Sequence, residues 1–326
     1  MPPFTTVPLE GDRQAALASL PAKAGVGQIV GQGGRNLLIG RPANLRKWAM
    51  NNLGLGRPVA KGQRPPTDLS SIATDVAFAE ATSAFHQRLL FERLMERHVP
   101  REKRRDLKPP AFLRLDPSER FPRLVVLEAD ADLSRAFGPF RDRRAATRAR
   151  EALQKAFRLR PCDYEFEPHP ELPLGLGCLF AQVRSCAAPC LVRASEAEYR
   201  DLAVRAADTL GGAGPRPDEL ADVLPPFVAQ AGSRGLVVAS NRGGVELYPV
   251  QGGGVCELDR VDIPWPTESL EAALSGLRFE TRARGSDDYP WLLSWLLAPR
   301  RGGSYLVWSP REPPGAFAAR VREVLT

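Results

Sequence analysis

The amino-acid sequence predicts an α+β protein in three parts. These are a small antiparallel sheet with flanking helices, a helical module built around a cysteine cluster, and a separate small α+β C-terminal domain. Three observations carry this expectation. Residues 23–49 read as strand, turn, strand and helix; four of the five cysteines fall between Cys162 and Cys190; and the run from Gly211 to Pro217 (GGAGPRP) has the composition of a linker.

In chain order, Gly25–Val30 is short and β-leaning, Gly31–Gly34 supplies a turn, and Asn36–Gly40 forms the second arm of a hairpin. Pro42–Met50 follows as a helix, with Pro42 suited to a first turn because its missing N–H would be unpaired there in any case. Residues 56–70 are rich in Gly, Pro, Arg and Ser and read as a loop, and Ser71–Ala79 as a third strand. From Ser83 to His98 the apolar residues Phe85, Leu89, Leu90 and Leu94 recur at helical spacing, and Pro100 ends the helix. Phe112–Leu115 and Leu124–Leu127 are expected strands, Phe137–Phe140 a turn, and Arg143–Phe157 a basic helix. Ser195 and Glu198 form a capping box ahead of a helix whose apolar face is Tyr199, Leu202, Ala203, Ala206 and Leu210. Beyond the linker come a short helix near 218–230, strands near 235–240, 245–250 and 259–263, and an apolar segment at 289–297. Trp265, Trp291, Trp295 and Trp308 are expected in the core, and Glu257, Asp259, Asp262, Asp287 and Asp288 as scattered surface acids.

A length of 326 residues, 43% hydrophobic and 25% charged, allows two or three domains, each with its own core. The first residues lack the basic start and apolar core of a signal peptide, and no window reaches eighteen uninterrupted apolar residues, so no membrane partner is expected. The expected location is cytoplasmic, where thiols stay reduced and clustered cysteines bind metal more often than they form disulfides. The net charge of +7 is unevenly spread: 33 basic against 24 acidic residues up to position 212, then 12 against 14 beyond it. A basic first part points to a polyanion partner.

The cysteine spacing is Cys162-x15-Cys178-x7-Cys186-x3-Cys190. Four thiolates so placed can surround one zinc ion or one iron–sulfur cluster, and the number of ligands does not separate the two. The paired C-x2-C knuckles of zinc ribbons are missing. The alternative is a set of small buried side chains packed for their bulk. Cys256 stands apart as a structural residue.

Seven colinear pieces then resemble one family, the bacterial UvrC excinucleases of nucleotide-excision repair. They are Leu20–Val26 (LPAKAGV), Gly40–Lys47 (GRPANLRK), Phe121–Val126 (FPRLVV), Phe137–Phe140 (FGPF), Leu153–Cys162 (LQKAFRLRPC), Arg184–Cys190 (RSCAAPC) and Ser195–Tyr199 (SEAEY). The resemblance implies a GIY-YIG nuclease-like domain at 18–110, a connecting region with the four-cysteine cluster at 111–212, and a C-terminal α+β domain of its own at 213–326. It also implies that Cys162, Cys178, Cys186 and Cys190 hold a [4Fe–4S] cluster, with zinc as the rival.

The catalytic positions of that family are mostly replaced. Where the family has tyrosines this chain has Gly27 and Leu38; its lysine position is Arg41, its arginine position is Trp48, and only Glu92 matches the metal-binding glutamate. No tyrosine occurs before Tyr164. The resemblance therefore implies a DNA-binding protein of excision-repair type that has lost its GIY-YIG chemistry. Arg46, Lys47, Arg143, Arg144 and Arg148 would contact phosphate, and other excision-repair subunits would be partners. Two alternatives stand beside it. One is an active endonuclease using Arg41, Arg46 and a divalent metal at Glu92, with His86 or His98 assisting; the other is an interaction subunit acting through residues 213–326.

Overall fold

The computed structural model describes residues 4–56, 67–100, 103, 109–128, 131–171, 178–241, 243–256, 261–264, 270–277, 279, 288–298, 302–309 and 312–325. They form three antiparallel sheets with helices between them.

The first sheet has the order β1-β4-β2-β3, from Thr5–Pro8 (β1), Gly25–Gly31 (β2), Arg35–Gly40 (β3) and Ala73–Glu80 (β4). The expected hairpin is β2–β3, turned through Gly33 and Gly34, both of which take the positive φ that glycine tolerates. Strand β1 and helix α1 (Arg13–Ala18) are additions to the expected pattern; Asp12 caps α1 through the Ala15 N–H. Helix α2 (Leu45–Asn52) starts at Asn44, whose side chain accepts from the Lys47 N–H. It covers one sheet face with Ile29, Val76, Leu17, Leu20, Ala49 and Leu53. The other face, at Val26 and Ala79, takes Leu90 and Leu94 of helix α3 (Ala84–His98).

The second sheet has the order β6-β5-β7-β8, from Ala111–Arg114 (β5), Val125–Glu128 (β6), Ala136–Phe140 (β7) and Ala229–Gln230 (β8). The segment read as a turn at Phe137–Phe140 is thus a strand, containing a cis Gly138–Pro139 bond and paired on both sides. Helices α4 (Arg143–Ala156) and α6 (Glu196–Gly211) bury Ala146, Ala149, Leu153, Tyr199, Ala203, Ala206 and Leu210 in one core with this sheet. The capping box at Ser195 and Glu198 is formed as expected. The short α5 (Leu179–Gln182) lies between them.

The third sheet has the order β11-β10-β9-β13, with β12 also on β10. Its strands are Arg234–Ser240 (β9), Gly244–Gln251 (β10), Gly254–Val255 (β11), Val261–Pro264 (β12) and Gly303–Trp308 (β13). The helix expected near 218–230 reduces to a single 3-10 turn at Asp218–Leu220, and its end is strand β8. One face of this sheet packs against α7 (Leu270–Ser275) and α9 (Pro314–Leu325) through Leu270, Leu274, Phe317 and Val321. The other packs against α8 (Asp288–Leu296) and, unexpectedly, against Phe85 and Leu89 of α3. The expected separate C-terminal domain therefore shares a core with the first part of the chain. Trp291 and Trp295 are buried there and Trp308 is partly buried, as expected of core residues, while Trp265 lies outside the described residues. Asp288 corrects the expectation of a surface acid: it is fully buried and paired to Arg93, because the α8–α3 contact closes over it. Glu257, Asp259 and Asp287 lie outside the described residues, and Asp262 is exposed on β12.

Candidate functional site: a filled sheet face and a four-cysteine loop

The candidate catalytic residues separate into two groups. Gly27 and Gly40 face each other across the β2–β3 ladder, with Leu38 on the same face opposite Ile29. The Trp48 indole of α2 lies over both glycines. A methyl group on Gly27 would overlap its six-membered ring, and one on Gly40 would come within 2.7 Å of Nε1. The side-chain volume at position 27 is thus taken by the residue at position 48, which remains partly exposed. Arg46 is tied down, donating from Nε to the Leu20 carbonyl at 2.7 Å, whereas Lys47 next to it is exposed.

On α3, Glu92 pairs with Arg88 at 2.6 Å, one helical turn away, and both are mostly buried. Burial pushes the Glu92 carboxyl above the ordinary glutamate range, against the pull of the Arg88 and Arg41 charges. The Arg41 guanidinium sits over the Phe91 ring at 5.7 Å. Arg41 and Glu92 are therefore brought into electrostatic contact as the sequence expects, but the nearest cation to Glu92 is Arg88, which the sequence reading missed. The spacing of four between Arg88 and Glu92 was the available signal. The assisting role offered for His86 is corrected: its Nδ1 is 2.7 Å from the Thr82 hydroxyl, and the ring is buried at the start of α3.

The four cysteines come from one irregular stretch between α4 and α6. Cys162 follows α4, Cys178 precedes α5, and Cys186 and Cys190 flank a tight turn. Cys186 and Cys190 are buried, and Cys162 and Cys178 half-buried. Burial and the neighbouring cysteines raise the Cys186 thiol to about 11, against a hydrogen bond from Ala188 N–H to Cys186 Sγ at 3.3 Å. Cys190 is shifted up for the same first reason, burial, with Cys178 and Cys162 adding to it.

The loop is held from outside. The Tyr199 hydroxyl accepts from the Arg160 N–H at 2.8 Å and donates to the Pro122 carbonyl at 3.1 Å, while the Ala187 N–H reaches the Arg158 carbonyl at 2.8 Å. Arg184, Ala188 and Val192 all have left-handed φ of 55–57°. Such a backbone is costly for residues with a Cβ, and most of all for a β-branched valine. Among the described residues, no three His, Cys, Asp or Glu side chains stand in a metal-ligating arrangement. As a donor set the four thiols fit a thiophilic centre: they act on one another electrostatically, lie in a desolvated loop, and one receives a backbone N–H at sulfur.

The basic residues of α4 are exposed, and Arg143 is paired with Glu128 at 3.2 Å. Arg144 and Arg148 stand one turn apart on the outer face.

Residues 111–209, which hold the second sheet, α4, the cysteine loop and most of α6, match the family of the UvrC/Cho excinuclease, middle domain. The chain is a relative of the UvrC family. It is 34% identical over 208 residues to the UvrABC system protein C of Geobacter metallireducens, covering 61% of this chain and 32% of that one. The corresponding protein of Zymomonas mobilis subsp. mobilis is 32% identical over 205 residues, or 60% of this chain and 29% of that one. That of Rhodospirillum rubrum is 29% identical over 200 residues. The chain thus spans about a third of the length of the UvrC relatives it matches. No solved structure matches it. No helix among the described residues is long and apolar enough to cross a membrane.

Proposed function

We propose that this UvrC-related chain binds DNA in a nucleotide-excision-repair setting and does not cut it with its first domain. The observation that carries this reading is the Trp48 indole lying over Gly27 and Gly40. Water activation in the GIY-YIG manner needs a phenol on that sheet face and a guanidinium at position 48 to stabilise phosphate charge. Here a glycine and an indole stand in their place. Glu92, the one matching acid, is drawn into an ion pair with Arg88 rather than left open to a divalent metal.

DNA is the partner that fits the basic excess before residue 213. Arg144, Arg148 and Lys47 are the exposed cations best placed for phosphate, while Arg46 is a structural tie. Other excision-repair proteins are the natural class of further partner, since the relatives are components of the UvrABC system.

The cysteines carry a second part of the proposal: Cys162, Cys178, Cys186 and Cys190 hold a [4Fe–4S] cluster, which when bound would lock the loop between α4 and α6. The left-handed backbone at Arg184, Ala188 and Val192 supports it, because a central ligand offsets the cost of winding the chain around it. Protein purified without oxygen should be brown, with about four irons per chain. Stoichiometric zinc and no colour would replace the cluster with a zinc site.

Binding to duplex DNA measured across salt concentrations tests the main reading. The expected result is an affinity that falls steeply as salt rises and weakens in Arg144→Ala/Arg148→Ala. No affinity, or affinity without a salt slope, overturns it.

A further inference from the structure

The residues around Trp48 have an unusual charge pattern. From position 13 to position 56 there is no aspartate or glutamate, against six cations: Arg13, Lys23, Arg35, Arg41, Arg46 and Lys47. This stretch runs from α1 through the β2–β3 hairpin to the end of α2, so the acid-free sequence is also one continuous structural unit. Lys23 is bridged to Glu80, and Arg46 is held by the Leu20 carbonyl. Arg35, Arg41 and Lys47 are exposed. Lys47 adjoins Trp48 on α2, and Arg41 follows the glycine on which the indole rests.

Trp48 is itself out of pattern. It belongs to the hydrophobic cluster of the first sheet only as a partly buried member, although a large apolar ring beside a core would ordinarily be closed over. The two glycines beneath it give a flat seat, since a Cβ at either position would collide with the ring. The ring is fixed on one side and accessible on the other, among cations and with no acid in the same unit.

We propose that Trp48, with Lys47, Arg41 and Arg35, forms a stacking site for an unpaired nucleobase, so that this unit takes up single-stranded DNA. A rigid aromatic surface beside a track of cations is the combination that holds single strands without sequence preference: the ring meets the π-face of a base and the cations follow the phosphates. A paired base offers no such face, so duplex DNA gains nothing from Trp48. The inference rests on the DNA-binding reading above and sharpens it, naming an unpaired segment as what the first domain recognises.

The test uses the whole chain, a ~20-nucleotide oligothymidylate and a matched duplex, with Trp48→Phe and Trp48→Leu as variants. Both substitutions keep an apolar side chain over the glycines, and unfolding curves confirm the fold. The expected result is a loss of about 5-fold or more in oligothymidylate affinity for Trp48→Leu, a smaller loss for Trp48→Phe, and duplex affinity unchanged. Tryptophan fluorescence should also be quenched by the oligomer in the wild type and much less in Trp48→Phe. Oligothymidylate affinity unchanged in Trp48→Leu overturns the stacking site, as does an equal loss for both nucleic acids. If duplex binding with its salt slope persists in either case, the broader DNA-binding reading stands. A wild-type chain that binds neither probe overturns both.

Discussion

The pair formed by Gly27 and Trp48 decides how the first domain can act. Gly27 is not merely a residue lacking a phenol, because the space a side chain would need is filled by the indole. Gly27→Tyr should therefore destabilise the fold by about 1–3 kcal/mol through overpacking. The same change made in Trp48→Ala should cost less than the sum of the two single substitutions. Urea unfolding of the four proteins in this cycle measures the coupling, and strict additivity would mean that the two positions do not compete for one volume. The substitutions at 27, 38 and 48 are visible in the sequence one by one. Their compensation is not, since it depends on α2 crossing the hairpin at the register that sets Gly27 opposite Gly40.

Helix α3 shows what an element can hide. Its spacing predicts an amphipathic helix, and the structure gives a two-sided one: Leu90 and Leu94 face the first sheet, while Phe85 and Leu89 face the third. One further turn along the second stripe, Arg93 meets the buried Asp288 through Nη1 at 2.5 Å and Nη2 at 2.9 Å. The Trp291 Nε1–H and the Val255 N–H complete the shell of that carboxylate. Burial alone would raise the Asp288 carboxyl, but the hydrogen bond and charge of Arg93 outweigh it and hold it below the ordinary aspartate range. A depressed folded value means that the carboxylate stabilises the fold above the ordinary aspartate value. That contribution is lost as pH falls from there through the depressed value. Asp288→Ala, which strands the Arg93 charge, should cost about 3–5 kcal/mol at neutral pH, read from denaturant unfolding; a loss near zero would show that the two elements part in solution. Periodicity could identify α3 but not its second partner, which arrives almost two hundred residues later. Strand β7 was hidden for another reason: Gly138 and Pro139 read as turn residues, yet Gly138 packs closely on Phe112 and the strand is paired on both edges. The capping box of α6 and the basic α4 were legible because their signals are local.

At the scale of the whole molecule, an acid-free first unit, a UvrC-like middle domain with its cysteine loop and a near-neutral third sheet are joined through α3. This arrangement separates holding a nucleic acid from cutting it. The basic surface and the cysteine donors are present, while the sheet face that would activate water is occupied by an indole. Coupling through α3 also predicts that residues 1–212 expressed alone will be less stable than in the full chain, because Phe85, Leu89 and Arg93 lose the surface that buries them. The cysteine cluster was legible from spacing, and the chain's relation to UvrC from seven short ordered matches. The docking of the third sheet was not, since no local pattern records which faces meet. The most direct test of the central claim is to incubate the full chain with duplex DNA carrying a lesion and magnesium or manganese, following binding and strand breaks in the same samples. The account predicts salt-sensitive binding with no nick above background. Metal-dependent nicking that disappears in Glu92→Ala would contradict it.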